Sequence, residues 1–306
     1  MARPKVAIAP ESAPAWVADA VRAGGGDVVG VDDAEALVWT DPRGVAELQA
    51  LITRGSEVSW VQLPWAGVEH FARQGIFEDG RTWTCGKGVY AEPVAEHALA
   101  LALGGLRRLP DRVVAEDWGP PLGTSLYDGR VTVVGGGGIT ESLVTLLAPM
   151  RTEVTVVRRH PDAALDGARV VGRDRLHDAL GGADAVILAL ALTPETVGII
   201  GTRELDAMEA HAWLVNVARG EHVVTAELVE ALDRGSIGGA ALDVTDPEPL
   251  PAGHPLFGRT NCIITPHCAN TPEMARGPLT ARITDNVRRF GAGEALIGLV
   301  DPALGY

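Results

Sequence analysis

Lysine is nearly missing from this chain, which has two, Lys5 and Lys87, among its 26 basic residues. We read that bias toward arginine as genome composition rather than function. Cations as a whole are outnumbered, 26 against 40 acidic residues, for a formal net charge of −14. Such a balance excludes a general nucleic-acid or anionic-membrane binder, since both need surplus positive charge. Cysteine is scarce too: Cys85, Cys262 and Cys268 form no CxxC pair and leave one over. That usage suits a reducing cytoplasm better than a disulfide framework. Histidine, cysteine and acidic residues nowhere fall at metal-ligand spacing, and Cys268 beside His267 is a single thiol, so no metal is expected. Long apolar runs are also absent. The longest, such as AVILALAL (185–192), are far too short to cross a bilayer. The N-terminal MARPKVAIAP breaks at Pro10 before a signal-peptide core could form. What is present is an ordinary globular composition, 46% hydrophobic over 306 residues, long enough for two cores.

Short β-rich runs alternate with helical patterns along the chain. KVAIA (5–9), DVVGV (27–31), EALVWT (35–40) and SWVQL (59–63) read as strands, separated by helical stretches that end in glycine. A long helical run follows over 92–109, with Pro93 in its first turn and Glu92 and Glu96 placed to complement the helix dipole. The Pro- and Gly-rich DWGPPLGTSLYDG after it reads as a crossing between domains. A second β–α series starts at RVTVVGGGGIT (130–140). It continues through EVTVV (153–157), ARVV (168–171), AVILAL (185–190), AWLVNV (212–217), GGAALDV (238–244) and CIITP (262–266). This alternation predicts two doubly wound parallel sheets facing each other across a cleft, with ligands at the carboxyl ends of the strands. The final helical stretch leads the chain back toward the first domain.

Two features carry chemistry. In VTVVGGGGIT a strand enters a glycine turn and then a helix, with Gly135 and Gly137 at the first two positions of a GxGxxG fingerprint. Thr140 occupies the third, where glycine normally permits close helix–strand packing, and Glu141 adds a negative charge beside it. The acidic residue that usually holds an adenosine ribose is expected at the end of the next strand, but Arg158 and Arg159 stand there. Guanidinium groups would bind a 2′-phosphate where a carboxylate would repel it. The plain alternatives are a glycine-rich turn and two solvated strand-end cations.

The second feature is a set of side chains, each following a strand-like run: Arg219 in NVARG, Asp243 and Glu248 in ALDVTDPEPL, and His267 in ITPHC. Arginine can grip a carboxylate bidentately and polarise a neighbouring carbonyl, histidine can pass a proton, and a carboxylate can fix the histidine tautomer and favour its charged form. Singly, each has a structural reading, as an ion-pair partner, a turn residue or a cap. Trp65 and Tyr90 are candidates for a substrate pocket or for packing, and His97 on an apolar helix reads as a packed histidine.

Several longer stretches resemble the D-isomer-specific 2-hydroxyacid dehydrogenases: LALTPETVGII, LVNVARGEHVVTAELVEAL, GAALDVTDPEPLPAGHPLF and NCIITPHCANT. VAEHALAL and PWAGVEH extend the likeness over nearly the whole chain. The glycine loop is the poorest match. The resemblance implies a Rossmann cofactor domain (98–283) inserted into a flavodoxin-like substrate domain (1–97 and 284–306). It implies catalytic roles for Arg219, Glu248 and His267, and substrate-carboxylate binding by Arg219 and by backbone amides at Ala66 and Gly67. The cofactor-binding set is then Gly135, Gly137, Gly138, Ile139, Arg158, Arg159, Thr193, Ala218 and Asp243, with Asp243 on the nicotinamide carboxamide. The implied reaction moves a hydride between a nicotinamide cofactor and a 2-oxo acid or D-2-hydroxy acid, as in glyoxylate/hydroxypyruvate reductases. NADP is favoured over NAD by the two arginines. A cytoplasmic homodimer joined through the cofactor domain is implied as well. A rival from another class is a nucleotide-sensing binding module like the family's corepressors.

Overall fold

The computed structural model describes residues 3–302. It divides into two compact units, one running to Tyr90 and resuming at Thr271, the other spanning Ala91–Asn270. In unit 1, β1 (Lys5–Ala9), β2 (Asp27–Val28), β3 (Ala36–Trp39), β4 (Trp60–Gln62) and β5 (Thr82–Thr84) form one sheet in the order β2-β1-β3-β4-β5. Every ladder is parallel, and the order is that of the flavodoxin-like doubly wound sheet. Helices α1 (Ala15–Ala23), α2 (Val45–Arg54) and α3 (Glu69–Ala72) connect the strands. On one face Val6, Val17, Val21 and Trp60 pack with Leu279, Ile283 and Val287 of the returning C-terminal helix Pro272–Ala292.

Unit 2 opens with α4 (Ala91–Leu106) and α5 (Leu109–Val113). Its strands are β6 (Arg130–Val134), β7 (Glu153–Val157), β8 (Ala168–Val171), β9 (Ala185–Leu188), β10 (Trp213–Asn216), β11 (Gly239–Leu242) and β12 (Cys262–Ile264). They lie in the order β12-β11-β10-β9-β6-β7-β8, again all parallel. Read from the strand that leads into the glycine turn, this is the 3-2-1-4-5-6 Rossmann order with one strand added, and the winding reverses between β6 and β9. AVIL, WLVN and GAAL are buried at every position, as strands covered on both faces must be. Between β6 and β7 runs α6 (Gly138–Leu147), followed along the chain by α7 (Leu176–Leu180), α8 (Thr202–Leu205) and α9 (Thr225–Arg234). The indole of Trp213 fills space that two glycines leave open. A Cβ on Gly105 of α4 would lie 2.2 Å from it, and one on Gly239 of β11 would lie 2.5 Å away.

Several details depart from the sequence reading. The units divide at Tyr90 and Thr271, so α4 and the C-terminal helix each stay whole, whereas boundaries at 97 and 284 would cut both helices. The stretch DWGPPLGTSLYDG lies wholly inside unit 2, tied in part by Thr124 N–H donating to Leu106 O at 2.8 Å. The run over 92–109 breaks after Leu106, because Arg108 takes a left-handed conformation (φ 54°). Only Asp27 and Val28 of DVVGV are strand, both exposed, and Val31 already begins a 3₁₀ turn. The short strand TWT (82–84) has too little pattern to be read from sequence. Among the described residues no helix is long and apolar enough to cross a membrane, and all three cysteines are free thiols.

Candidate active site

Because every strand of unit 2 points the same way, each chain exit lies at one edge. Gly135 follows β6, Arg158 follows β7, Asp243 follows β11, and Arg219 and His267 come three residues after β10 and β12.

At Gly135 the chain turns with φ 125°, in the left-handed region that favours glycine. A Cβ there would lie 2.0 Å from Ala189 O, so no other residue fits. Gly137 caps α6, and a Cβ on it would meet nothing within 4 Å. Gly138 and Ile139 form the first turn of that helix, whose leading N–H groups have no carbonyl partners within it. An open glycine at such a terminus is a cradle that fits a pyrophosphate. Thr140 does not push the helix out of place. It is wholly buried, and its hydroxyl donates to Gly135 O at 3.0 Å, tying helix to turn. Arg158 lies along the loop, since a Cβ on Gly136 would come within 2.5 Å of its Cδ. One terminal nitrogen donates to Ala163 O, while its buried Nε has no partner. Arg159 beside it is exposed. Thr193 lies in the loop after β9, its N–H donating to Thr196 Oγ1 at 2.8 Å.

Around NVARG, Asn216 acts as a brace that the sequence reading passed over. Its side chain is buried; Nδ2 donates to Arg219 O at 2.9 Å, and Oδ1 accepts from Ala218 N–H at 3.0 Å. The turn carrying Arg219 is therefore fixed from within, and the guanidinium also donates to Ala218 O at 2.7 Å. The one available signal was a buried-looking amide at the end of an apolar strand, which must find partners.

Asp243 is buried at the next exit. Its carboxylate accepts from Thr265 Oγ1 (2.6 Å) and from the N–H groups of Cys268 (2.9 Å) and Ala269 (3.0 Å). Burial opposes its charge, but hydrogen bonds from His97, Thr265 and those two amides outweigh it and hold the pKa at about 2. Because the Thr265 hydroxyl donates to Asp243, His97 Nε2, 3.1 Å from Thr265 Oγ1, must be the donor to that oxygen.

His267 has φ 51°, a conformation costly for a residue with a Cβ. Its N–H donates to Asp243 O at 2.8 Å and to Thr265 O at 3.0 Å, so the Asp243 cluster holds the histidine turn in place. Nδ1 lies 2.7 Å from Glu248 Oε1. An ionised carboxylate only accepts, so Nδ1 carries the hydrogen of this bond. The two side chains are 52% and 43% exposed, so the pair adds little to stability and its effect is on orientation.

Ala66 and Gly67 belong to unit 1, in the turn between β4 and α3. Beside them, the Trp65 and Tyr90 rings lie 6.2 Å apart, and the Tyr90 hydroxyl donates to Pro64 O. Burial raises the Tyr90 pKa, so the phenol stays protonated.

The strand order, the open glycine cradle and the edge residues of unit 2 define a dinucleotide-binding oxidoreductase. Residues 97–269 match the family model described as D-isomer specific 2-hydroxyacid dehydrogenase, NAD binding domain. The chain belongs to the D-isomer specific 2-hydroxyacid dehydrogenase family and is NAD(P)-dependent. Glyoxylate/hydroxypyruvate reductase A of Photorhabdus laumondii is 30% identical over 285 residues, covering 89% of this chain and 87% of its own. Glyoxylate reductase/hydroxypyruvate reductase of Mus musculus is 31% identical over 242 residues, 75% of this chain and 73% of its own. The crystal structure of a D-isomer specific 2-hydroxyacid dehydrogenase from Xanthobacter autotrophicus Py2, in complex with NADPH and MES, superposes with a TM-score of 0.86. It is 27% identical and covers 100% of both chains.

Proposed function

We propose that this enzyme interconverts a small 2-oxo acid and its D-2-hydroxy acid, with glyoxylate and hydroxypyruvate as the first candidates and NADPH as the favoured reductant. The carrying observation is the 2.7 Å contact between His267 Nδ1 and Glu248, at the same sheet edge as Arg219. The names of the Photorhabdus and mouse relatives support the substrate class, and the NADPH in the Xanthobacter structure supports the cofactor.

The nicotinamide cofactor supplies the hydride. The Gly135–Ile139 turn would hold the pyrophosphate, Thr193 and Ala218 would contact the cofactor, and the Asp243 carboxylate would accept from the carboxamide. Arg158 and Arg159 serve the adenosine end, where a 2′-phosphate can take charge-assisted hydrogen bonds from them. Arg219 binds the substrate carboxylate and polarises the C2 carbonyl. Protonated His267 donates from Nε2 to the oxygen as negative charge develops on it, and takes the proton back in the reverse direction. Two cationic donors aimed at one developing alkoxide supply electrostatic stabilisation, usually the largest contribution to catalysis. Glu248 fixes the tautomer that makes Nε2 the exchanging nitrogen. The Ala66 and Gly67 backbone N–H groups of unit 1 are of a type that can donate to a carboxylate.

A homodimer in the cytoplasm accompanies this reading. Val113, Val114 and Trp118 are 84%, 65% and 97% exposed on one stretch of unit 2, apolar area that a second copy would cover. Sedimentation of a monomer at micromolar concentration would remove that part. Turnover of glyoxylate, hydroxypyruvate and phenylpyruvate with NADPH and with NADH tests the rest; no turnover in any combination overturns it.

A further inference from the structure

We propose that His97, Asp243 and Cys268 form a binding site for a thiophilic divalent cation, of which zinc is the type. The imidazole Nε2, a carboxylate oxygen and the thiol Sγ lie within 4.8 Å of one another, although they come from α4, the end of β11 and the turn after β12. No spacing along the chain reveals them, because three distant segments supply one donor each.

The set is built rather than incidental. Two backbone amides and the Thr265 hydroxyl orient the Asp243 carboxylate, and His97 Nε2 already points at it from 3.4 Å. Around a tetrahedral zinc ion, nitrogen, oxygen and sulfur donors are separated by roughly 3.3–3.6 Å, given bonds of about 2.0–2.3 Å. Metal binding therefore draws the three donors together from a spread of up to 4.8 Å. One nitrogen, one sulfur and one oxygen suit zinc and do not suit magnesium or calcium, which demand oxygen shells. The site is accessible, since His97 is 22% exposed and Cys268 is half-buried. Three protein donors leave a fourth position for water, so this is a site filled from free metal.

Binding is acid–base balanced and moves no electrons. The Cys268 thiol loses its proton to solvent as the sulfur–metal bond forms. His97 moves its proton from Nε2 to Nδ1, freeing the Nε2 lone pair. Resting on the proposed function, the consequence is inhibition: the carboxylate assigned to the nicotinamide carboxamide is taken by the metal, next to His267.

The test is titration of the full-length, metal-free protein with cobalt(II), a spectroscopic stand-in for zinc. One ion per chain is expected, with tetrahedral visible bands and a thiolate charge-transfer band that zinc abolishes by displacement and magnesium does not. Cys268→Ser should lose the charge-transfer band and bind at least tenfold more weakly, and His97→Gln should weaken binding by about 10–100-fold. Absence of stoichiometric binding, or a charge-transfer band that survives in Cys268→Ser, overturns the site. In the kinetic arm, zinc should inhibit competitively with the nicotinamide cofactor. Cys268→Ser should keep its metal-free turnover and escape inhibition. Stoichiometric binding with unimpaired turnover would keep the metal site and overturn the cofactor role of Asp243.

Discussion

On the β10–β12 side of the sheet edge, polar side chains hold the backbone; on the β6–β7 side, the backbone holds itself and side chains fit around it. Asn216 braces the Arg219 turn through two hydrogen bonds, and the Asp243 carboxylate gathers two amides and a hydroxyl. Those tasks need an amide and a carboxylate, and no apolar residue can replace them without stranding buried donors. The glycine turn is governed by space instead. Gly135 is forced by the 2.0 Å approach a Cβ would make to Ala189 O, whereas the Thr140 position accepts a hydroxyl that finds its own acceptor. Chemistry dictates residue identity on one side and volume dictates it on the other, so the two sides tolerate substitution differently.

The sharpest break comes on the chemical side. His267→Ala should cut 2-oxo-acid reduction by about 10²–10⁴-fold, the usual contribution of a positioned acid–base group. Cofactor affinity should hold, because the turn meets Asp243 through the backbone N–H groups of residues 267–269, which alanine at 267 keeps. Steady-state turnover and fluorescence titration with NADPH measure both, and near-normal turnover at saturating cofactor would falsify the assignment.

Next in size is the spatial side. Arg158→Asp puts a carboxylate where a 2′-phosphate would lie and releases the contact to Ala163 O. Charge-assisted contacts of this type are worth roughly 1.5–3 kcal/mol, so kcat/KM should favour NADPH by about tenfold or more in the unaltered enzyme and NADH in the variant. If neither ratio moves, Arg158 serves only the loop between β7 and β8.

These two sides were unequally legible in the sequence. Arg219, Glu248 and His267 sit in long stretches with family likeness, and each follows an apolar run, so their arrival at one sheet edge could be foreseen. Asn216 could not, since its role appears only when its amide is seen between Arg219 O and Ala218 N–H. The tie made by Thr140 could not be foreseen either, because the fingerprint speaks of missing Cβ atoms and not of a hydroxyl that bonds backward. His97 read as packing, and its approach to Asp243 and Cys268 depends on tertiary folding alone. Domain boundaries slipped by part of a helix at each end, because a continuous apolar periodicity carries no mark of which core it joins.

A smaller effect is expected at Glu248. In Glu248→Gln the amide oxygen can still accept from His267 Nδ1, so orientation survives and only the charge is lost. The difference between charged and neutral hydrogen bonds is about 1 kcal/mol, reduced further by exposure of the pair. Reduction rate should fall about two- to fivefold. A loss as deep as that of His267→Ala would mean that the carboxylate carries a proton-transfer role of its own.

The smallest effect separates space from chemistry within the glycine turn itself. Thr140→Val keeps shape and removes only the hydroxyl that donates to Gly135 O at 3.0 Å, in a wholly buried setting. One such bond is worth about 0.5–1.5 kcal/mol, so thermal stability should drop slightly and the KM for NADPH should rise a few-fold, with kcat unchanged. Thr140→Gly restores the fingerprint but gives up the same bond and adds backbone freedom in the first turns of α6, at about 1 kcal/mol. If Thr140 replaces the third glycine by tying helix to turn, Thr140→Gly is weaker toward cofactor than the unaltered enzyme, and Thr140→Val falls with it. If Thr140→Gly binds NADPH more tightly, close helix–strand packing matters more than the tie, and volume governs position 140 as it governs Gly135.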